Sequence, residues 1–304
     1  MLHKPRTISS ELLTLRYLNH RTNLPHSEKQ YFLHLDKGYK GELQFDRWTE
    51  KLQCDCLILN DLLLKVNNTT FQIDSTIITA DSIYLYEVKN LEGDHIYDAQ
   101  YDKFYKMPQR EILNPLAQMA RGEFLLSQLL FRHGFKIPIE SSVVFINEEF
   151  TLYNIPPDKP IIFSSQLRRY FREFNSISTQ LNKNHLLLAE KLASLHMKNS
   201  PYKQIPSYSY DQLRKGIACL KCKSFSIFIK KSKCVCEKCL HEEKISDAVL
   251  RAVSEFKLLF PEQKITTNII YDWCQVVKSK RTIINILSQN FKVVGKYRGT
   301  HYNL

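Results

Sequence analysis

The sequence predicts an α/β protein. Its core is one helix, three strands, a second helix and a fourth strand, followed by a small cysteine-rich module and a helical, basic carboxy-terminal domain. Three observations carry this reading. Between Gly41 and Ile146 the apolar pattern passes from helical spacing to alternation and back, with turn residues at the switches. Five of the eight cysteines fall between Cys219 and Cys239. No acidic residue follows Asp272, while Lys278, Lys280, Arg281, Lys292, Lys296 and Arg298 all do. A length of 304 residues suits two or three domains, and 43% hydrophobic with 24% charged residues places the chain among globular proteins.

Residues 1–37 form a basic, polar arm with one helix, SSELLTLRYLNHR, which Ser9 or Ser10 caps. The start, MLHKPRTISSELL, lacks the apolar run of a signal peptide, and no stretch of about 18 apolar residues occurs, so the expected location is cytoplasmic. Residues 41–52 (GELQFDRWTEKL) predict a helix with Leu43, Trp48 and Leu52 on its apolar face. Glu42 stands in its first turn. The helix dipole favours a carboxylate there, and a place beside the neighbouring strands is the alternative. Strands follow at 61–66, 71–78 and 83–89, with Asn67 and Asn68 marking the first turn. The polar, aromatic run LEGDHIYDAQYDKFYKMPQR predicts a loop or lid, in which Tyr97, Tyr101, Phe104 and Tyr105 either pin the loop down or stack on bases. Asn114 caps the next helix and Pro115 opens it. Leu116, Met119, Ala120, Leu125, Leu126, Leu129 and Leu130 form its apolar face, and Gly134 ends it. Gln118 lies about one turn in, either as an ordinary exposed glutamine or facing the strands. Strands at 142–146 and 160–163, the helix SQLRRYFREF, a helical stretch and a loose SPYKQIPSYSY linker complete this part.

The second and third strands concentrate the chemistry. Thr79–Ala80–Asp81–Ser82 reads as a four-residue hairpin loop. With Ile78 opposite Ile83, Asp74 falls opposite Glu87 and Gln72 opposite Lys89, on one face of the sheet. Opposed like charges cost stability, and burying one unpaired costs more. A divalent cation removes that conflict, because hard ions take carboxylate oxygens. The lysine then stabilises developing negative charge or orients a water. An exposed hairpin with a solvated ion pair is the plain alternative. Phe71, Ile73, Ile77, Tyr84, Tyr86 and Val88 fall on the other face, which predicts a core there.

Cys219-x2-Cys222 and Cys236-x2-Cys239 are thirteen residues apart and read as a zinc ribbon of four thiolates holding a structural Zn2+. Cys234 is left over and stands as a substitute for Cys236, with His241 a weaker one. Residues 246–260, 266–274 and 279–291 predict three helices, and the tail VVGKYRGTHY a wing. This order resembles a winged helix-turn-helix. The 280–289 helix would enter a groove, and the six basic residues from Lys278 to Arg298 are the candidate nucleic-acid contacts. A net charge of +12 favours polyanionic partners.

GYKGE (38–42), QID (72–74), YEVKN (86–90) followed by Gly93, and NPLAQ (114–118) together resemble the NERD domain, the nuclease-related domain of the PD-(D/E)xK nuclease superfamily. The resemblance covers residues 38 to about 150, and the arm before it is similar to the segment preceding this domain in bacterial relatives. It implies a restriction-endonuclease-like core and phosphodiester hydrolysis with Mg2+ or Mn2+. On that resemblance Asp74 and Glu87 are metal ligands, and Lys89 positions water or stabilises charge. Glu42 is a further acidic site residue, and Gln72 and Gln118 are polar ones. Ser75 stands where relatives often carry histidine. The expected organisation is an arm at 1–37, the nuclease-like domain at 38–165 and a connector at 166–214. A ribbon at 215–243 and a winged-helix-like domain at 244–304 follow. The expected activity is a metal-dependent nuclease with DNA as the expected substrate, and the alternative is a non-catalytic DNA-binding regulator or scaffold.

Overall fold

A computed structural model gives the structure of residues 1–303, and the side chain of Arg298 also lies outside the described residues. The elements begin with β1 (Leu2–Lys4), α1 (Ser10–Arg21), α2 (His26–Thr49), β2 (Leu57–Val66), β3 (Thr69–Ile78) and β4 (Ile83–Lys89). They continue with β5 (Gly93–Asp98), β6 (Lys103–Lys106), β7 (Arg110–Ile112), α3 (Pro115–Arg132), β8 (Ile139–Phe145), β9 (Phe150–Tyr153), β10 (Ile161–Phe163), α4 (Leu167–Phe174) and α5 (Lys183–Leu195). The last are β11 (Ile227–Lys230), β12 (Lys233–Cys236), β13 (Glu242–Lys244), α6 (Ile245–Leu259), α7 (Thr267–Cys274), α8 (Lys280–Asn290), β14 (Lys292–Val294) and β15 (His301–Asn303). They divide into two units, Met1–Ser9 with Leu33–Lys203, and Ser10–Phe32 with the chain from Gln204 onward.

In the first unit a six-stranded sheet runs in the order β1-β2-β3-β4-β8-β10. Strands β2, β3 and β4 form an antiparallel meander, and β8 and β10 add in parallel. Asn67 and Asn68 make the β2–β3 turn at φ 47° and 63°, the left-handed conformation that asparagine tolerates. The β3–β4 loop closes through Thr79, whose Oγ1 takes the Ser82 N–H. Helix α3 starts where Asn114 Oδ1 accepts the N–H groups of Leu116 and Ala117, with Pro115 at the first position. Its Leu125, Leu126, Leu129 and Leu130 pack with Leu188 and Leu192 of α5 on Leu62, Leu64, Ile78, Ile83 and Leu85. Phe45 of α2 with Phe171 and Phe174 of α4 cover Ile58, Ile77, Tyr86 and Val88 on the opposite face. Each such side chain contributes about 1.5–3 kcal/mol on burial.

Three expectations change. Phe71 and Ile73 pack with the α3 face, while Ile77, Tyr86 and Val88 pack with Phe45. Inward positions therefore switch parity along β3, and β2 does the same, from Leu57 and Leu59 to Leu62, Leu64 and Val66. Asp61, at φ 56°, marks the switch in β2. Second, the expected loop or lid is a four-stranded sheet, β7-β6-β5-β9, with Tyr97 and Phe104 buried against Phe145 and Phe150. Tyr101 alone of the named aromatics is largely exposed, at 64%. Third, the helix expected at 41–52 begins at His26 and ends at Thr49. Gly41 inside it is a packing requirement, since a Cβ there would lie 2.5 Å from Asn90 Cβ.

The second unit contains the three-stranded antiparallel sheet β11-β12-β13 and then α6, α7, α8 and the β14–β15 hairpin. Ile265, between α6 and α7, bridges Tyr302 of β15, which ties the three helices to the small sheet. Leu18, Val249, Phe256, Trp273, Ile283 and Leu287 share its core. Arg21 lies inside that core. It donates to Glu255 at 2.6 and 2.9 Å and to the carbonyls of Arg214 and Gly216, and it sits 3.9 Å from the Trp273 ring centroid. Every charge in this buried group is paired, the condition under which such a group is tolerated.

Candidate functional site

Strands β3 and β4 pair from Ile78 opposite Ile83 to Ser75 opposite Tyr86, the register expected from the sequence. Asp74 and Glu87 are the next residues on each strand. Asp74 Oδ2 accepts the Val88 N–H at 2.8 Å, so this carboxylate spans the two strands where the ladder stops. Lys89 Nζ donates to Glu87 Oε1 at 2.7 Å and to Gln118 Oε1 at 2.8 Å. Gln118 reaches the strands because the Asn114 cap fixes the first turn of α3 beside them. Gln72 donates to Asp61 Oδ1 at 3.0 Å. A cavity of about 490 Å3 is lined by all six of Glu42, Gln72, Asp74, Glu87, Lys89 and Gln118.

Arginine 6, on the segment after β1, organises the back of this cluster. Its guanidinium donates to Glu42 Oε2 at 2.6 Å, to Asp46 at 2.8 and 2.9 Å, and to the Asp74 carbonyl at 2.7 Å. Burial opposes its charge, but hydrogen bonding to Asp46 and the charge of Glu42 hold the guanidinium above its ordinary value. Neither Arg6 nor Asp46 stands out in the sequence, because an arginine in a basic arm and an aspartate on a helix carry no local signal of their meeting. The second sheet adds His95, Lys106 and Arg110 to the cavity wall. The sequence signal for His95 is the alternation in GDHIYD, bordered by turn residues on both sides, and Lys106 and Arg110 lie outside it.

The electrostatics express an excess of buried acid. Burial, then the charge of Asp74, raises Glu87 to about 7 against the pull of Lys89. Burial and then Asp74 raise Glu42 to about 8 against the pull of Arg6. Asp74 is itself raised by burial, opposed first by Lys89 and then by the Val88 N–H. Oxygen donors held close together at a free-energy cost suit a hard divalent cation. Asp74 and Glu87 supply oxygen donors of that kind, while Glu42 is engaged by Arg6.

The ribbon cysteines form a separate cluster. Among the described residues, Cys219, Cys222, Cys236 and Cys239 hold their sulfurs within 4.8 Å of one another. The Sγ atoms of Cys219 and Cys239 are 3.6 Å apart, and those of Cys222 and Cys236 3.5 Å. A tetrahedron with 2.3 Å zinc–sulfur bonds has edges of about 3.8 Å. Two matching turns bring the thiols together. The N–H groups of Lys223 and Leu240, at φ 59° and 58°, return to the carbonyls of Cys219 and Cys236. The N–H groups of Cys219 and Cys236 take the carbonyls of Ser224 and His241. The cluster is thus compatible with structural zinc. Cys234 is buried in the apolar core outside it, and His241 serves Cys236 through its backbone.

Lys278, Lys280, Arg281, Lys292 and Lys296 are all exposed, and none of them has an ion-pair partner among the described residues. Lys280 Nζ donates to Asn268 Oδ1 at 2.9 Å and lies 5.3 Å from the Tyr271 ring centroid. Arg298, also expected at this surface, has its side chain outside the described residues. Among the described residues no helix is long and apolar enough to cross a membrane.

Residues 37–146 match the family model of NERD, the nuclease-related domain. Comparison with curated proteins finds no match, and comparison with solved structures finds none. The matched stretch runs from the middle of α2 through β8 and includes Glu42, Gln72, Asp74, Glu87, Lys89 and Gln118.

Proposed function

We propose that this chain is a metal-dependent nuclease that hydrolyses phosphodiester bonds, with DNA as its substrate and the basic carboxy-terminal module as its tether. The observation that carries the reading is the convergence of Asp74, Glu87, Lys89 and Gln118 on one cavity, with two buried acids whose proton affinities are raised. Asp74 and Glu87 would hold a Mg2+ or Mn2+ ion, which when bound would supply positive charge against the phosphate and make water a better nucleophile at neutral pH.

The protein's own groups do the rest. Lys89, held between Glu87 and Gln118, keeps a fixed ammonium where an attacking water is oriented and negative charge develops on the phosphoryl oxygens. Gln118 uses its carbonyl on Lys89 and turns an amide N–H toward Glu87, which leaves its second N–H to donate to a phosphate oxygen or that water. Arg6 keeps Glu42 paired and oriented beside Asp74, so the cavity holds two acids for the ion rather than three competing ones. Lys106 and Arg110 on the cavity wall offer positive charge to the flanking phosphates. The exposed Lys278, Lys280, Arg281, Lys292 and Lys296 meet the backbone of the bound nucleic acid.

The test is incubation of zinc-loaded protein with plasmid DNA and with RNA, with Mg2+ or Mn2+ present or absent. Metal-dependent cleavage that falls by at least about 100-fold in Lys89→Met and is lost in Asp74→Ala is expected. Binding without cleavage of either polymer, under every metal condition, refutes the enzyme and leaves a DNA-binding regulator.

A further inference from the structure

A second cavity, of about 780 Å3, opens in the unit that carries the ribbon, between strand β11 and the turn joining α7 to α8. Of its lining residues only Lys278 carries a role assigned above. Its wall contains Phe225, Phe228 and Ile229 from the ribbon and the cations Arg214, Lys215, Lys231 and Lys278, and no carboxylate lines it. Strand β11 is the edge of its sheet, so this wall has no covering strand. Phe228 is 41% exposed and Ile229 37%, two adjacent large apolar side chains left open to solvent.

The cations differ in availability. Lys215 turns inward and donates to the carbonyl of Leu213 at 2.9 Å. Arg214 lies 4.6 Å from the Phe225 ring centroid, which covers one face of that ring. Lys231 and Lys278 are exposed and have no ion-pair partner among the described residues. Arg21 also lies over Phe225, at 5.1 Å, so the ring left open is Phe228, and an apolar wall with one exposed ring rimmed by unpaired ammonium groups matches a ligand that joins flat faces to an anionic backbone. The volume falls in the roughly 300–1,000 Å3 range of pockets that enclose small ligands, enough for a base and its flanking phosphates.

We infer that this cavity binds an unpaired segment of nucleic acid, with a base stacked on Phe228 and phosphates on Lys231 and Lys278. An unpaired base offers a π-face to an aromatic side chain, whereas in a duplex the neighbouring bases already cover both faces. The inference rests on the nucleic-acid reading of the carboxy-terminal module and sharpens it, because it assigns single-strand preference to a cavity that shares only Lys278 with the basic surface named above. An acidic peptide lying along the free edge of β11 is the competing occupant. It would satisfy the lysines but give Phe228 no stacking partner.

The experiment uses the full, zinc-loaded chain carrying Asp74→Asn, without added Mg2+ or Mn2+, so that cleavage plays no part. Fluorescence anisotropy measures the affinity for a labelled oligothymidine and for a duplex of equal length. Phe228→Ala, a change at an exposed position, is expected to weaken single-strand binding by about tenfold and leave duplex binding unchanged. Lys231→Gln is expected to lower the slope of log affinity against log salt by about 0.7 for the single strand only. Equal losses on both ligands, or no loss in either variant, overturn the inference while duplex binding keeps the wider reading. Failure of the parent chain to bind either ligand overturns both. Displacement of the oligonucleotide by polyglutamate, with affinity for polyglutamate itself falling in Phe228→Ala, overturns it in favour of a peptide surface.

Discussion

Replacing Asp74 by asparagine should make the metal-free protein more stable at pH 8 while removing its ability to cleave. The substitution keeps a side-chain oxygen for the Val88 N–H and removes a buried negative charge. Burial and the charge of Asp74 together lift Glu87 from an ordinary 4.5 to about 7, which corresponds to about 3 kcal/mol withheld from its ionised form. Burial is the larger cause, so on the order of 1–2 kcal/mol belongs to the interaction with Asp74. The sign follows from proton binding. Glu87 and Glu42 hold protons more tightly folded than unfolded, so their contribution is complete below about pH 4.5 and is lost as pH rises through about 7 and about 8. The parent protein should therefore lose stability between pH 5 and pH 8.5, and Asp74→Asn should lose less. Calorimetry at pH 8 should show a gain of about 1–2 kcal/mol, or roughly 2–8 °C in the melting of the first unit, shrinking toward zero at pH 5. Mn2+ should raise the parent's melting temperature more at pH 8 than at pH 6, because proton and ion compete, and should leave the variant unmoved. A variant less stable than the parent at pH 8, or a gain independent of pH, would refute the idea that these acids repel one another.

Three further outcomes follow from the packing. Cys236→Ser should lower the zinc content of the purified chain and Cys234→Ser should not, as read by metal analysis, since only the former sulfur belongs to the cluster. Arg21→Met should destabilise the second unit by about 3–5 kcal/mol in urea denaturation by stranding Glu255, and adding Glu255→Leu should recover most of the loss. Gly41→Ala should destabilise by about 1–3 kcal/mol, because crowding against Asn90 and Ile146 outweighs the gain of about 1 kcal/mol in helix propensity.

The hairpin was legible because its determinants are local. A polar four-residue loop fixes the register, and residue chemistry then says what the opposed pair must tolerate. The thiol cluster was legible for the same reason, since each knuckle is a short turn with its own backbone bonds. The site's other half was not. Arg6 meets Glu42 and Asp74 across 36 and 68 residues of chain, and no spacing rule reaches that far. The second sheet escaped notice because His95 and Tyr97 alternate over a single short strand bordered by residues that also make turns. The parity switch at Asp61 defeated the face assignment of Phe71 and Ile73, because alternation presumes an unbroken pleat.

The long reach of Arg6 bears on the order in which the molecule assembles. The β3–β4 hairpin closes early and brings Asp74 toward Glu87 over only a few residues of loop, whereas the guanidinium that quiets the neighbouring Glu42 arrives after a much larger closure. During that interval Asp74 and Glu87 have only Lys89 beside them, and Glu42 lacks its arginine. Refolding should accordingly be faster in mildly acidic solution, where protons stand in for the missing arginine, than at alkaline pH.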